Sequence, residues 1–198
     1  MTKRSLMRRL YDWVLHWAET PYGTLALVLL AFAESSFFPV PPDVLLIALA
    51  ISIPRRAFFY ATAAAVASVL GGILGYFIGM ALMEVVGWKI IHFYHAEDLF
   101  EQLFETFKRY NFWAVLTAAL TPIPYKVFTI SAGAAKAQFS IFMIASVLGR
   151  SLRFFTVSAL IYFFGKRIKD FIDRYFNLLS VLFVILLIGG FVLIKYVF

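Results

Sequence analysis

AESSFFPVPPDVLL, residues 33–46, poses the problem of the whole chain. Glu34, Pro39, Pro41, Pro42 and Asp43 interrupt a stretch that is apolar on both sides. Proline removes a backbone donor and breaks a helix interior. A carboxylate at lipid depth is costly unless it meets a partner or a water-filled cavity. A segment built this way reads as a place where the chain turns back inside an apolar medium.

Composition supports that medium. Of 198 residues, 63% are hydrophobic and 23 are Phe; the mean hydropathy is +0.87. Soluble domains sit near about 45–50% apolar, so the chain reads as an integral membrane protein of all-α class. It has no Cys, which excludes disulfides, thiolate metal sites and a cysteine nucleophile. The net charge of +7 fits basic loops beside a membrane. No basic surface on a soluble domain is visible, so nucleic acid is not an expected partner.

Outward from the opening stretch, the segment 23–53 is about 31 residues long, short of the roughly 40 that two crossings need. It reads as a re-entrant hairpin. Residues 112–135, broken at TPIPYK by Pro122 and Pro124, read as a second one. Apolar spans are expected at 57–86 and 138–165, with an acidic amphipathic interfacial helix at 88–111. Residues 1–19 read as an N-terminal amphipathic helix on the membrane surface, and 177–197 as a C-terminal transmembrane helix. Residues 20–168 form the membrane domain between them.

The chain repeats itself. SVLGGILGYFIGMALMEVVGWKI (68–90) aligns without gaps on SVLGRSLRFFTVSALIYFFGKRI (146–168), with 10 identities in 23 positions. A P-x-P break precedes each copy. With the N-terminus in the cytoplasm, ten Lys and Arg fall on the cytoplasmic side and five opposite, as the positive-inside rule requires. One crossing separates the units, so the repeats are inverted, an arrangement found in transporters.

Three basic residues remain at depth, Lys126, Arg150 and Arg153, beside the acids Glu34 and Asp43. The functional reading is a phosphate site formed by the three cations. Half-helix N-termini at the breaks add backbone donors, and Thr121 is an expected N-cap. Glu34 and Asp43 are then gating or proton-coupling groups. The structural alternative pairs Glu34 with Arg150, and Asp43 with Arg153 or Lys126, as static bolts between the repeats. Gly71, Gly75 and Gly79 have the spacing of close helix packing. His92 and His95, near Glu97 and Asp98, read as solvated surface; no metal and no cofactor are expected. Tyr22, Tyr76, Trp88, Tyr110 and Trp113 read as an interfacial aromatic belt.

The order Glu, P-x-P, glycine-rich span, second proline hairpin ending in AG, then G-R resembles the DedA superfamily, whose members carry a VTT or SNARE-associated domain. TPIPYKVFTISAG followed by GRSLRFF is most similar to its small YqaA-like subgroup. With no metal-ligand constellation and no Ser-His-Asp set in the sequence, no enzymatic activity is expected, and the resemblance implies a protein of the bacterial inner membrane. Such a protein moves phospholipid or undecaprenyl phosphate between leaflets as a flippase or scramblase, with protons as the candidate coupling ion. By motif, the family's hairpin acid falls on Glu34, its acidic position after the prolines on Asp43, and its second-span arginine on Arg150. Better-known members carry arginines around the second hairpin's proline; those positions here are Ala119 and Tyr125, with Lys126 alongside. Other readings are an enzyme acting on lipid phosphates, a proton or ion channel, and a structural protein of membrane homeostasis. Self-association into a homo-oligomer stays open.

Overall fold

The computed structural model describes residues 20, 22–38, 40–95, 97–121 and 123–165. The expected helices at 1–19 and 177–197 lie outside the described residues, as do Pro39 and Pro122. Among the described residues all regular structure is helical: α1 Gly23–Ser36, α2 Asp43–Ser52, α3 Ala57–Leu82, α4 Trp88–Phe93, α5 Glu97–Leu120, α6 Tyr125–Ala134 and α7 Phe139–Gly165.

Prolines set the boundaries in the first half. The amides of Phe37 and Phe38 both bond the Ala33 carbonyl, at 2.9 and 2.7 Å, closing α1. Proline at 41 and 42 then keeps the preceding residues out of helical geometry. Pro42 takes the N-cap position of α2, and its carbonyl accepts from the Leu46 amide at 2.9 Å. Asp43 follows in the first turn, where the helix dipole favours an anion. Ile53 is extended, φ −134° and ψ 80°, because Pro54 follows it; Pro54 itself opens a short 3₁₀ turn, Pro54–Arg56, that leads into α3. As helices α1 and α2 are about 21 and 15 Å long, and a hydrocarbon core is about 30 Å thick.

Beyond Pro54 the helices depart from the expected boundaries. Helix continues from Pro54 to Phe93, 40 residues, through a single π-turn at Met83–Gly87. It ends at Phe93 with Tyr94 as its C-cap, and His95 just beyond turns the chain with φ +49°. Nothing divides α5 at 111/112: it runs from Glu97 to Leu120, because 97–120 contains neither Gly nor Pro. The expected interfacial helix at 88–111 is therefore two elements, one continuous with the preceding span and one with the second break. The hydropathy changes near Asn111, but the backbone does not. Across the turn between α4 and α5, His92 Nδ1 meets Glu97 Oε1 at 2.6 Å. The Glu97 backbone amide and His92 hold that carboxyl below its usual range.

Pro124 occupies the N-cap of α6 in extended geometry, ψ 104°, matching the role of Pro42. At the other end Ala137 N–H bonds Ala132 O at 2.9 Å and Lys136 N–H bonds Gly133 O at 3.0 Å. With Lys136 at φ +50°, this is a Schellman ending.

Packing exchanges arms between the two halves. α3 lies on α1, where a Cβ at Gly71 would sit 2.1 Å from the Phe32 carbonyl oxygen. It also lies on α6: Gly79 abuts Ile130 O and Gly133 abuts Tyr76 O, with a Cβ reaching 1.9 and 1.8 Å. Gly75 faces Thr129 and Ser35. α7 in turn packs on α5, through Gly149 against Ala119, and on α2, where Phe154 is buried with Leu45, Leu46 and Leu49. Each long helix thus contacts the first arm of one broken unit and the second arm of the other.

Two helices, Pro54–Phe93 and Phe139–Gly165, are long and apolar enough to cross a membrane. Large apolar side chains such as Leu29, Leu70, Phe77, Leu152 and Phe163 point outward, as a lipid-facing surface requires. Tyr76 departs from the expected aromatic belt: it is 7% exposed, and its Oη donates to the Ala137 carbonyl at 2.7 Å.

Gly79→Ala and Gly133→Ala should each force a Cβ into a backbone carbonyl and cost at least about 1–3 kcal/mol, the usual range for overpacking. Gly165, with nothing within 4 Å of an added Cβ, should tolerate Ala within about 0.5 kcal/mol. Denaturant unfolding in mixed micelles measures the difference; equal effects at the three positions would refute the close-packing account.

Candidate functional site

The helix ends at the two breaks carry Glu34, Asp43 and Lys126. α1 brings Glu34, Ser35 and Ser36 to its last turn, α2 brings Asp43 to its first, and α6 brings Tyr125 and Lys126 to its first. From α7, Arg150 and Arg153 reach them at i,i+3 on one face.

Arg150 is 2% exposed. Its Nη2 donates to Glu34 Oε2 at 2.8 Å and to Ser35 Oγ at 3.4 Å. Nε donates to Ser68 Oγ, which lies 2.6 Å from Ser35 Oγ. The guanidinium is held between two aromatic rings, 4.9 Å from the centroid of Tyr125 and 4.8 Å from that of Phe154, where each ring face attracts the cation. The buried charge thereby meets one carboxylate, two hydroxyls and two π faces.

Arg153 makes a fork. Nε and Nη2 reach the two oxygens of Asp43 at 3.1 and 2.9 Å, the bidentate geometry that strengthens such pairs. Its Nη1 donates to the Thr121 carbonyl at 2.6 Å. Thr121 is thus not the N-cap of α6, a position held by Pro124. It lies just past the end of α5, and its hydroxyl bonds back to Thr117 O at 2.7 Å. Proline at 124 bars the residues just before it from opening the helix.

Lys126 takes a third course. Its Nζ donates to the Phe38 carbonyl at 3.1 Å and pairs with no carboxylate among the described residues. Phe38 O and Thr121 O follow the C-terminal ends of α1 and α5, where the helix dipoles are negative. The two breaks therefore interlock: a cation from the second half of the chain sits on the end of α1, and another joins the end of α5 to the start of α2. The Glu34–Arg150 and Asp43–Arg153 contacts coincide with the structural alternative expected from sequence, and of the three cations at the breaks they leave Lys126 without an acid among the described residues.

Sequence reasoning did not single out Ser35, Ser68 or Phe154, and it named Tyr125 only as standing where better-known members carry an arginine. A signal was present: the repeat pairs Ser68 with Ser146 and Gly72 with Arg150. Tyr125, 1% exposed, is the side chain that both Gly72 and Arg150 face. Its Oη and Ser146 Oγ are both buried and face one another, and neither has another hydrogen-bond partner among the described residues. Among the described residues no three His, Cys, Asp or Glu side chains come together as a metal-binding group.

The VTT domain model matches residues 38–163, a range that takes in Asp43, Lys126, Arg150 and Arg153. A protein of Haemophilus influenzae is 31% identical over 186 residues, covering 94% of this chain and 96% of its own length. One of Histophilus somni is 34% identical over 162 residues, covering 80% and 82%. Each is described only as an uncharacterised protein. No solved structure matches.

Arg150→Ala should lower unfolding free energy by about 3–5 kcal/mol, the usual cost of stranding the partner of a buried ion pair. Lys126→Ala, which loses one exposed contact to a carbonyl, should cost about 1 kcal/mol or less. Unfolding in micelles measures both; comparable losses would mean that Arg150 is not the structural centre of the breaks.

Proposed function

The chain is a membrane protein of the VTT-domain family, and on that premise we propose that it moves a phosphate-bearing lipid between the leaflets of a bacterial inner membrane, as a flippase or scramblase. The observation that carries this reading is the pairing at the two breaks. Two arginines are held by two carboxylates, while Lys126 has no acidic partner among the described residues. A phosphate head group docks first on Lys126. Protonation of Glu34, with Asp43 as the second acid, then releases guanidinium charge to the phosphate as the proton neutralises the carboxylate. The lipid's chains remain in the bilayer, and the protein acts as a carrier with no chemical step.

Several features support the inverted-repeat, re-entrant arrangement that the mechanism needs. α1, α2 and α6 are each too short to cross a hydrocarbon core. Proline stands at the N-cap of both α2 and α6. The exchanged packing of α3 and α7 matches the internal sequence repeat, and intramembrane ionisable groups usually mark a transport path. Charge asymmetry supports a cytoplasmic N-terminus.

Proteoliposomes carrying fluorescent phospholipid or a short polyprenyl phosphate test the proposal by leaflet-selective quenching. Lys126→Ala should slow transport at least about tenfold, the factor that about 1.4 kcal/mol of lost phosphate binding produces. Glu34→Gln should remove the proton-dependent component while the protein stays folded. Wild-type rates for every lipid in both variants would sink the site; phosphate release from the lipid, or proton flux without transportable lipid, would replace the carrier with an enzyme or a channel.

A further inference from the structure

A lateral groove of about 320 Å³ lies on the outside of α1 and α3, away from the ion pairs. Val28 of α1 and Phe59, Val66 and Leu70 of α3 wall it, while Ala63 and Ala67 keep it concave. Its one hydroxyl, on Thr62, donates to the Phe58 carbonyl at 2.9 Å, so the groove presents no free donor. From Phe59 to Leu70 it extends about 16 Å along the helix, close to the roughly 15 Å depth of one leaflet's hydrocarbon.

An apolar groove alone would accept any tail, and the charge one turn beyond its Phe59 end is what selects a ligand. Arg55 and Arg56 stand one turn before Phe59, in the same continuous helix. Both are exposed and neither forms an ion pair among the described residues. No acidic residue occurs from Val44 to Met83, so the surrounding sequence supplies no local counter-ion. Two guanidinium forks of this kind match the oxygens of a phosphate. At a bilayer surface they attract anionic lipid in preference to zwitterionic lipid.

We propose that this is a binding site for an anionic glycerophospholipid, its phosphate on Arg55 and Arg56 and one acyl chain along the groove from Phe59 to Leu70. The site is separate from the interlocked breaks and does not depend on the transport reading. It holds a lipid of the leaflet that the two arginines face, against the helix whose glycines carry the packing.

Native mass spectrometry of the full chain, released from micelles with equal phosphatidylglycerol and phosphatidylcholine of identical chains, tests it. The wild-type protein should retain phosphatidylglycerol in at least about fivefold excess, within what two basic groups at a membrane surface supply. Arg55→Gln with Arg56→Gln should bring the two lipids to parity. Ala63→Phe should reduce retention of both, and Lys126→Ala should leave the excess intact. Parity in the wild-type protein, an undiminished excess in the double variant, or loss of the excess in Lys126→Ala would each overturn the proposal; the last would move the lipid to the breaks.

Discussion

A guanidinium buried in an apolar protein is the constraint on which the rest of this structure turns. Removing such a charge from water costs several kcal/mol even after relaxation, and the lipid around these helices offers no substitute for water. Arg150 is compensated by Glu34 and Ser35 from α1, Ser68 from α3, Tyr125 from α6 and Phe154 from its own helix. Three of the four helices that supply these groups are required to approach closely, and the glycines at 71, 75, 79 and 133 are where they do so. The proline breaks serve the same end, because they bring helix termini rather than helix middles to the charged layer.

The two halves are alike in plan and unlike in chemistry. Ser68 and Ser146 occupy equivalent positions one turn before Gly72 and Arg150, and both of the latter face Tyr125. One copy of the repeat therefore supplies space where the other supplies charge. A second arginine at 72 would place two guanidiniums against one tyrosine ring with a single nearby carboxylate. The asymmetry gives the fold one charged centre, served by both halves.

Much of this was legible in the chain because proline and buried charge leave strong marks. Pro42 and Pro124 end up capping helices, and the meeting of Glu34 with Arg150 matches one of the two readings the residues allowed, whereas the choice of Arg153 over Lys126 for Asp43 was left open by the sequence. What escaped was information that hydropathy does not carry. The change of polarity near Asn111 suggested an element boundary, but without Gly or Pro the helix had no reason to stop. Tyr76 looked like a belt residue because tyrosine suits an interface; its hydroxyl instead found a carbonyl in the interior. Thr121 looked like a cap by residue type, although Pro124 three residues on determines where helix can restart. The serines and rings around Arg150 are ordinary residues in apolar helices, and only the three-dimensional convergence gives them a role.

The ion pairs also impose an order on biogenesis. Glu34 and Arg150 are 116 residues apart, and Asp43 and Arg153 are 110 apart. At the usual pace of synthesis, about 5–20 residues per second, the carboxylates wait on the order of ten seconds before their partners emerge. A full-length span carrying two unpaired acids would be a poor candidate for insertion during that interval. Arms of about 21 and 15 Å are each too short to cross a hydrocarbon core alone, so the two acids are not carried by a full span while α7 is still to be made. The break that looked like a defect in an oily stretch thus ties one of the first described helices to the last of them.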